Sequence, residues 1–158
     1  MKKVSKSKKE TIQIAKMFLQ KNLKKLRSLQ GALVVSLSGE LGAGKTTFTQ
    51  AVARYLGIKN KVNSPTFVIM KKYPIPKQAR WRVGPIKNLE YKFLFHLDAY
   101  RLKNEKELLH LGWEEIINKK EHLVFIEWPE NVLKIIPVNS KFIHISHTLK
   151  GHRSFKFK

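Results

Sequence analysis

The sequence predicts an α/β domain with a largely parallel central sheet. Short apolar runs near residues 32–37, 93–97 and 123–126 are typical of strands that are buried on both faces. Apolar residues at helical spacing lie between these runs, and a glycine-rich loop joins the first run to a predicted helix. Strands that alternate with helices in this way form a sheet with helices packed on both sides, which makes three layers.

Composition is that of one globular domain. The chain has 158 residues, of which 42% are hydrophobic, including nine Phe and three Trp. This is enough apolar material for a substantial core. The absence of cysteine excludes a disulfide scaffold, a thiol nucleophile and a thiolate metal site.

The chain is strongly basic, with 32 Lys and Arg against 11 Asp and Glu and a formal net charge of +21. Dense positive charge attracts phosphate, so nucleic-acid binding is one interpretation. Lysine is spread over the whole sequence, and a lysine-rich proteome would give the same total. The charge alone therefore does not identify a nucleic-acid-binding protein.

The N-terminal segment resembles an export signal only in its basic first residues. The stretch that follows is interrupted by Gln13, Lys16 and Gln20, and the sequence contains no apolar run of membrane-spanning length. We therefore expect no membrane contact and a cytoplasmic protein.

The first predicted helix runs from Ser7 to about Leu29. Its apolar residues recur at helical spacing, and Ser7 stands three residues before Glu10, as in a capping box. A buried strand over residues 32–37 follows it.

The middle of the chain begins with a predicted helix over residues 45–56, which Gly57 ends. Residues 58–66 are predicted to form a loop that leads into a strand over 67–70. Residues 71–91 contain three of the six prolines and six Lys or Arg. This composition predicts a long basic loop or a flexible hairpin inserted in the domain rather than core.

The second half predicts two buried strands, over residues 93–97 and 123–126, each followed by an acid. Asn104 is predicted to cap a short helix between them. Residues 142–146 and 154–157 alternate like a pair of antiparallel strands, so we expect antiparallel strands at the edge of the sheet.

The glycine-rich loop over residues 39–46 matches the phosphate-loop pattern G-x-x-x-x-G-K-[ST] between a predicted strand and a predicted helix. Glycines let the backbone N–H groups wrap a phosphate chain, and the start of the helix adds its positive dipole end. Lys45 can reach the β and γ phosphates, and the Thr46 hydroxyl can ligate Mg²⁺. We therefore predict a P-loop NTPase-type fold.

Acids follow the two later strands as Asp98 and Glu127. Carboxyl ends of parallel strands share one edge of a sheet, so both acids are expected near the phosphate loop. Either one could hold Mg²⁺ while the other positions the attacking water. The nearest string to a guanine-reading Asn-Lys-x-Asp, residues 118–121, ends in Glu and precedes its strand, which favours ATP.

Five blocks of the sequence resemble, in the same order, the bacterial TsaE (YjeE) family of small ATPases that take part in making threonylcarbamoyladenosine at position 37 of tRNAs. The early pair Glu10-Thr11 matches as well, and the resemblance extends from about Ser7 to Phe157. The blocks are Ser38–Phe48, Asn63–Phe67, His96–Leu102, Leu111–Glu115 and Ile126–Glu130.

The resemblance implies a role for each matching position. Lys45, Asp98 and Glu127 would be catalytic, with Thr46 and Glu127 as the Mg²⁺ ligands. Residues 64–66 would form a switch near the γ-phosphate, and Thr11 would lie near the adenine. The ATP-binding residues would be Thr11, Gly42, Ala43, Gly44, Lys45, Thr46, Thr47 and Thr66.

The resemblance also implies partners. TsaB and TsaD homologues would perform the carbamoyl transfer, and this chain would join them and hydrolyse ATP to support turnover. We expect hydrolysis by the chain alone to be slow, because the sequence places no obvious Arg finger or water-orienting Gln.

The residues themselves predict a basic patch around Lys71 to Lys92 that faces an acidic partner or tRNA, and Trp81 within it could stack on a base or a partner.

Two alternatives stay open from the residues. A small-molecule P-loop kinase would need an arginine-rich lid, and Arg80, Arg82 and Arg101 are available for one. A basic RNA-binding module with a structural nucleotide is the non-enzymatic alternative. The histidines at positions 96, 110, 144 and 147 show no ligand spacing with carboxylates, so we interpret them as ordinary core or surface residues.

Overall fold

The computed structural model describes residues 1–23, 30–77 and 91–158. Within this part of the chain, seven strands form one sheet with helices packed on both faces. The predicted three-layer α/β fold is confirmed. The strands are β1 (Lys2–Ser5), β2 (Leu33–Ser38), β3 (Met70–Pro74), β4 (Phe93–Asp98), β5 (His122–Glu127), β6 (Lys141–His147) and β7 (Arg153–Phe157). The helices are α1 (Lys8–Leu23), α2 (Lys45–Tyr55), α3 (Glu105–His110), α4 (Trp113–Ile117) and a 3₁₀ helix (Pro129–Ile135).

The strand order is β1-β7-β6-β2-β5-β4-β3. The central pairs β6–β2, β2–β5 and β5–β4 are parallel, and the outer pairs are antiparallel, as predicted. Since β4 and β5 are parallel neighbours in register, their last residues Asp98 and Glu127 lie side by side at the carboxyl edge.

Phe48 fixes α2 to the sheet. Its ring, fully buried, lies 5.9 Å from Phe18 of α1, 6.3 Å from Phe125 of β5 and 5.7 Å from Phe155 of β7, centroid to centroid. Burying such a side chain contributes about 1.5–3 kcal/mol. Because Phe48 is one turn beyond Lys45, this packing also holds the phosphate loop against the sheet.

The second face of the sheet is covered by the helices of the later half. Trp113 of α4 and Val132 of the 3₁₀ helix pack with side chains of β2, β4 and β5. The Trp113 indole N–H donates to the Ile135 carbonyl at 3.0 Å, which satisfies the polar atom of a side chain that is otherwise fully buried.

The strand expected over residues 67–70 is wrong in position. Residues 66–68 form a turn, Ile69 has φ 62°, and β3 occupies residues 70–74, the start of the predicted loop. The apolar run suggested a strand over 67–70, but β3 lies further along the chain as an edge strand, where Pro74 is tolerated. The prediction that residues 71–91 are not core is wrong for Tyr73, Ile75 and Tyr91, which are buried because pairing of β3 with β4 brings this segment onto the sheet.

The remaining differences from the predicted elements concern the end of the first helix, the predicted basic loop and three short elements. The first helix was expected to reach Leu29, and the structure gives α1 to Leu23 with residues 24–29 outside the described part. Arg80, Trp81 and Arg82 of the predicted basic loop also lie outside it. Sequence reasoning missed β1, α4 and the 3₁₀ helix, which are all seven residues long or shorter and carry weak periodicity.

None of the helices in the described ranges is long and apolar enough to cross a membrane.

The buried His122 makes stability depend on pH. Its ring packs 4.6 Å from the Phe95 ring, and its Nδ1 lies 2.9 Å from the Ile116 carbonyl oxygen. Burial lowers the pKa of His122, and Lys119 and Lys72 act in the same direction, while the Ile116 carbonyl and Glu121 oppose them.

We predict that the free energy of unfolding falls as pH drops below about 6.5, because the unfolded chain then binds a proton that the buried imidazole resists. Urea unfolding at pH 7 and pH 5 measures this. His122→Gln should show a smaller loss between the two pH values than the native chain. An equal loss in both proteins would contradict the assignment.

Candidate nucleotide-binding site

The phosphate loop joins β2 to α2 at the carboxyl edge of the sheet. Gly42 has φ 77° and Gly44 has φ 107°, left-handed conformations that favour glycine. Gly44 is the N-cap of α2 and provides no side-chain cap for the first-turn N–H groups. A helix start of this kind is suited to an anion, because its N–H groups point outward at the positive end of the dipole.

The Arg153 side chain of β7 lies against Gly44. A Cβ at position 44 would lie 2.8 Å from Arg153 Nε, so the flexible arginine side chain would have to shift. The last hairpin of the chain therefore packs directly on the phosphate loop, and this contact could not be anticipated from the loop sequence alone.

A cavity of about 320 Å³ lies between the phosphate loop, residues 64–66 and the ends of β4 and β5. It brings together most of the predicted site residues: Gly42, Gly44, Lys45, Thr46, Thr47, Thr66, Asp98 and Glu127. The described residues also form a larger cavity, about 470 Å³, beside α1, but it contains none of the predicted site residues. Chemistry rather than size identifies the site.

Two predicted nucleotide contacts do not line this cavity. Ala43 is fully buried in the core, and Thr11 is fully buried in α1. The Thr11 hydroxyl lies 2.9 Å from the Ser5 hydroxyl and 3.3 Å from the Ser7 carbonyl oxygen. In this structure Thr11 thus joins β1 to the start of α1, and its role near adenine stays a prediction.

Lys45 is held by its own loop. Its Nζ donates to the carbonyls of Gly39 at 2.7 Å and Glu40 at 2.9 Å, and lies 4.0 Å from the centroid of the Trp128 ring. Burial lowers the pKa of Lys45, while the nearby carboxylates, first of all Glu127, act against that shift. The charge is therefore placed among acceptors at the bottom of the cavity.

Glu127, at the end of β5, contacts side chains of both α2 and β4. Its Oε1 accepts from the Thr46 hydroxyl at 2.8 Å and lies 2.8 Å from His96 Nε2. Since a carboxylate only accepts, this contact places the proton on His96 Nε2. His96 is fully buried, and its Nδ1 has no hydrogen-bond partner among the described residues.

His96 is therefore a core residue, as expected, but it contacts a predicted catalytic acid, which the sequence interpretation missed. The signal was present in the spacing. Side chains two apart on a strand share a face, so His96 and Asp98 of β4 both face the phosphate loop and the neighbouring Glu127.

Asp98 ties the loop over residues 64–66 to β4. Its Oδ2 accepts from the hydroxyls of Ser64 at 2.9 Å and Thr66 at 2.5 Å, and its Oδ1 accepts from the Tyr100 N–H at 3.0 Å. All polar atoms of this nearly buried carboxylate are thus satisfied inside the chain.

Trp128 is a site residue to which sequence reasoning gave no role. It has φ 56°, a left-handed conformation that costs a non-glycine residue about 1–3 kcal/mol. Its ring covers Lys45 and lies 5.0 Å from the Tyr100 ring. The strained backbone directs the indole over the cavity, where both rings contribute to the lining.

The donor set suits Mg²⁺ bound together with phosphate. The described part of the chain contains no group of three or more His, Asp or Glu side chains arranged to hold a metal ion. Thr46 and Glu127 provide one hydroxyl and one carboxylate in contact with each other. Mg²⁺ commonly takes one or two protein ligands and completes its shell with waters and substrate phosphates.

Comparison with known proteins gives one consistent result. The family model described as threonylcarbamoyl adenosine biosynthesis protein TsaE matches residues 5–155. Several relatives carry the name tRNA threonylcarbamoyladenosine biosynthesis protein TsaE. The one from Rickettsia prowazekii is 36% identical over 82% of this chain and 75% of its own length. The one from Bacillus subtilis is 35% identical over 78% of this chain and 68% of its own length. A third, from Haemophilus influenzae, is 31% identical over 73% of this chain and 64% of its own length.

A solved structure agrees with these relatives. The crystal structure of Bacillus subtilis YdiB superposes with a TM-score of 0.70 at 27% identity, over 99% of this chain and 83% of that one. The family model covers almost all of the sequence, including every element that builds the cavity. The chain therefore belongs to the TsaE family of tRNA threonylcarbamoyladenosine biosynthesis proteins.

Proposed function

We propose that this chain is a Mg²⁺-dependent ATPase that supports the threonylcarbamoyl modification of adenosine 37 in tRNA. The observation that carries the proposal is the convergence of Lys45, Thr46, Asp98 and Glu127 on one cavity beside the phosphate loop. A cation, a hydroxyl and two carboxylates in this arrangement match the needs of phosphoryl transfer to water.

ATP binding would exchange internal contacts for phosphate contacts. The N–H groups of residues 42–47 would hold the phosphate chain, and Lys45 Nζ would leave the carbonyls of Gly39 and Glu40 for the β and γ phosphates. Thr46 and Glu127 would hold Mg²⁺, which would neutralise negative charge on the phosphate oxygens. Thr11 is proposed to lie near the adenine once nucleotide is bound.

Hydrolysis requires a water oxygen to bond to the γ-phosphorus as the bond to the bridging oxygen breaks, giving ADP, phosphate and one proton. Asp98 is the proposed acceptor for that proton or the group that orients the water. Its oxygens already accept from Ser64, Thr66 and Tyr100, so the loop over residues 64–66 must loosen for Asp98 to act. This requirement supports the expectation that turnover is slow when the chain is alone.

The proposed partners are TsaB and TsaD homologues in the cytoplasm, with tRNA as the modified substrate. The kinase alternative would need arginines over the cavity. Arg101, among the described residues, instead lies 4.5 Å from the Phe67 ring centroid and is not part of the cavity lining. Family membership and this placement both favour the tRNA-modification role over a small-molecule kinase.

We predict that Lys45→Ala loses ATP binding because it removes the cation that faces the phosphates. Asp98→Ala and Glu127→Ala should keep some nucleotide binding but lose hydrolysis by about 10²–10⁴-fold. Calorimetric ATP binding and phosphate release with the TsaB and TsaD homologues present measure the two effects separately. Lys106→Ala is the matched control, since Lys106 is exposed on α3 and does not line the cavity. Full ATPase activity in Glu127→Ala would contradict the proposal that Glu127 is a Mg²⁺ ligand.

For the cellular role, depletion of the protein in its source cell should lower threonylcarbamoyladenosine in bulk tRNA, measured by mass spectrometry of digested nucleosides. Re-expression of the native chain or of Lys106→Ala should restore the modification, and Lys45→Ala should not. Unchanged modification after depletion would remove the proposed role and reopen the kinase alternative.

A further inference from the structure

No helix among the described residues covers one part of the sheet. The helices on the α3 and α4 side pack mainly on strand residues from β2, β4 and β5. On the same side, β6, β7 and β1 present side chains that alternate away from the core. We call this the open sheet face; its residues are Lys2, Val4, His144, Ser146, Ser154 and Lys156.

The open sheet face carries a row of aligned basic side chains. Lys2 pairs directly with Lys156, and Lys156 pairs with His144 on the next strand. All three side chains are exposed, and adjacent strands lie about 4.8 Å apart. Like charges directly opposite each other destabilise a sheet, so the pair of Lys2 and Lys156 has a cost that folding alone does not explain.

In the described part of the chain, no side-chain carboxylate pairs with the two lysines of this row. Residues 131–158 contain six Lys or Arg, three His and no Asp or Glu, and residues 1–9 contain five Lys and no acid. Among the described residues, no carboxylate lies within 4.0 Å of Lys2 or Lys156. The acids concentrate instead on the described helices α3 and α4, which carry four of the chain's 11.

A second observation points to a bound ligand. Ser154, in the centre strand of the open sheet face, is only 4% exposed, yet its hydroxyl has no hydrogen-bond partner among the described residues. It lines a shallow depression of about 630 Å³ together with Lys2, Lys156 and Lys150 of the hairpin tip. A buried hydroxyl without a partner is costly and suits an acceptor brought by a ligand.

The composition favours phosphate over a protein surface. Protein interfaces are enriched in aromatic residues and depleted in Lys, and the open sheet face shows the opposite balance. Lys, Ser and Thr are typical contacts to nucleic-acid phosphates. We infer that the open sheet face binds the sugar–phosphate backbone of RNA. The choice of RNA as the polyanion rests on the proposed function, although the binding itself needs no ATP hydrolysis.

The position of this surface connects it to the nucleotide site. His144 Nδ1 lies 3.0 Å from the Ser38 hydroxyl, and Ser38 directly precedes the phosphate loop. His147 Nε2, at the end of the same strand, lies 3.3 Å from the Gly42 carbonyl oxygen. RNA on the open sheet face would therefore lie beside the loop that binds ATP.

The test compares the full native chain with Lys2→Gln/Lys156→Gln in binding an unmodified tRNA transcript over a range of salt concentrations. Each lost phosphate contact lowers the slope of log affinity against log salt by about one, so the double variant should lose about two units of slope and bind more weakly. Lys59→Gln/Lys61→Gln is the control, because both lysines are exposed and follow α2 on the opposite face of the sheet. Its slope should equal that of the native chain.

Three outcomes would each overturn the inference. The first is that Lys2→Gln/Lys156→Gln has the same salt slope as the native chain, the second is that both double variants lose equal slope, and the third is that the native chain does not bind tRNA. Thermal unfolding checks that Lys2→Gln/Lys156→Gln is folded. Its unfolding temperature should not fall, because the substitutions remove the repulsion between the two lysines.

Measuring ATP hydrolysis separates this inference from the proposed function. Native hydrolysis with no tRNA binding would refute only the RNA surface, whereas salt-sensitive tRNA binding without hydrolysis, even with partners, would refute only the ATPase.

Discussion

A buried carboxylate at the end of β5 is the constraint on which the site depends. Glu127 is only 3% exposed, and a carboxylate removed from water costs several kcal/mol unless it is well hydrogen-bonded. Its partners come from two other elements, Thr46 of α2 and His96 of β4. The fold can bury Glu127 only when α2, β4 and β5 are in their observed positions. Packing of Phe48 and the parallel register of β4 with β5 provide those positions.

The other charged groups of the cavity are satisfied internally in the same way. Lys45 donates to two carbonyls of its own loop, and Asp98 accepts from two hydroxyls of the loop over residues 64–66. Hydrogen bonds to charged groups contribute about 1.5–3 kcal/mol each, so these contacts stabilise the chain without nucleotide. A phosphate chain and its cation would have to replace them. Because these contacts hold the site together, the proposed nucleotide binding would require the site to rearrange.

Sequence reasoning found the parts of the site that have local patterns. The phosphate loop is contiguous, and Asp98 and Glu127 each end an apolar run, so a parallel sheet was enough to place them together. It failed where position depends on neighbours that are distant in sequence. The edge strand β3 was misplaced because its alternation is weak, and the contacts of His96 with Glu127 and of Arg153 with Gly44 depend on strand register and hairpin packing. The strained Trp128 backbone has no sequence signal at all, since a left-handed tryptophan is set by its surroundings.

The most direct measurement is the effect of Mg²⁺ on ATP affinity, by calorimetry of the native chain, Glu127→Gln, His96→Leu and His96→Gln. If Glu127 is a metal ligand positioned by His96, Mg²⁺ strengthens ATP binding to the native chain, and Glu127→Gln loses most of that gain while its affinity without Mg²⁺ is kept. His96→Leu should lose part of the gain, and His96→Gln, which retains an N–H donor, should recover some of it. The same Mg²⁺-dependent gain in all four proteins would contradict the account.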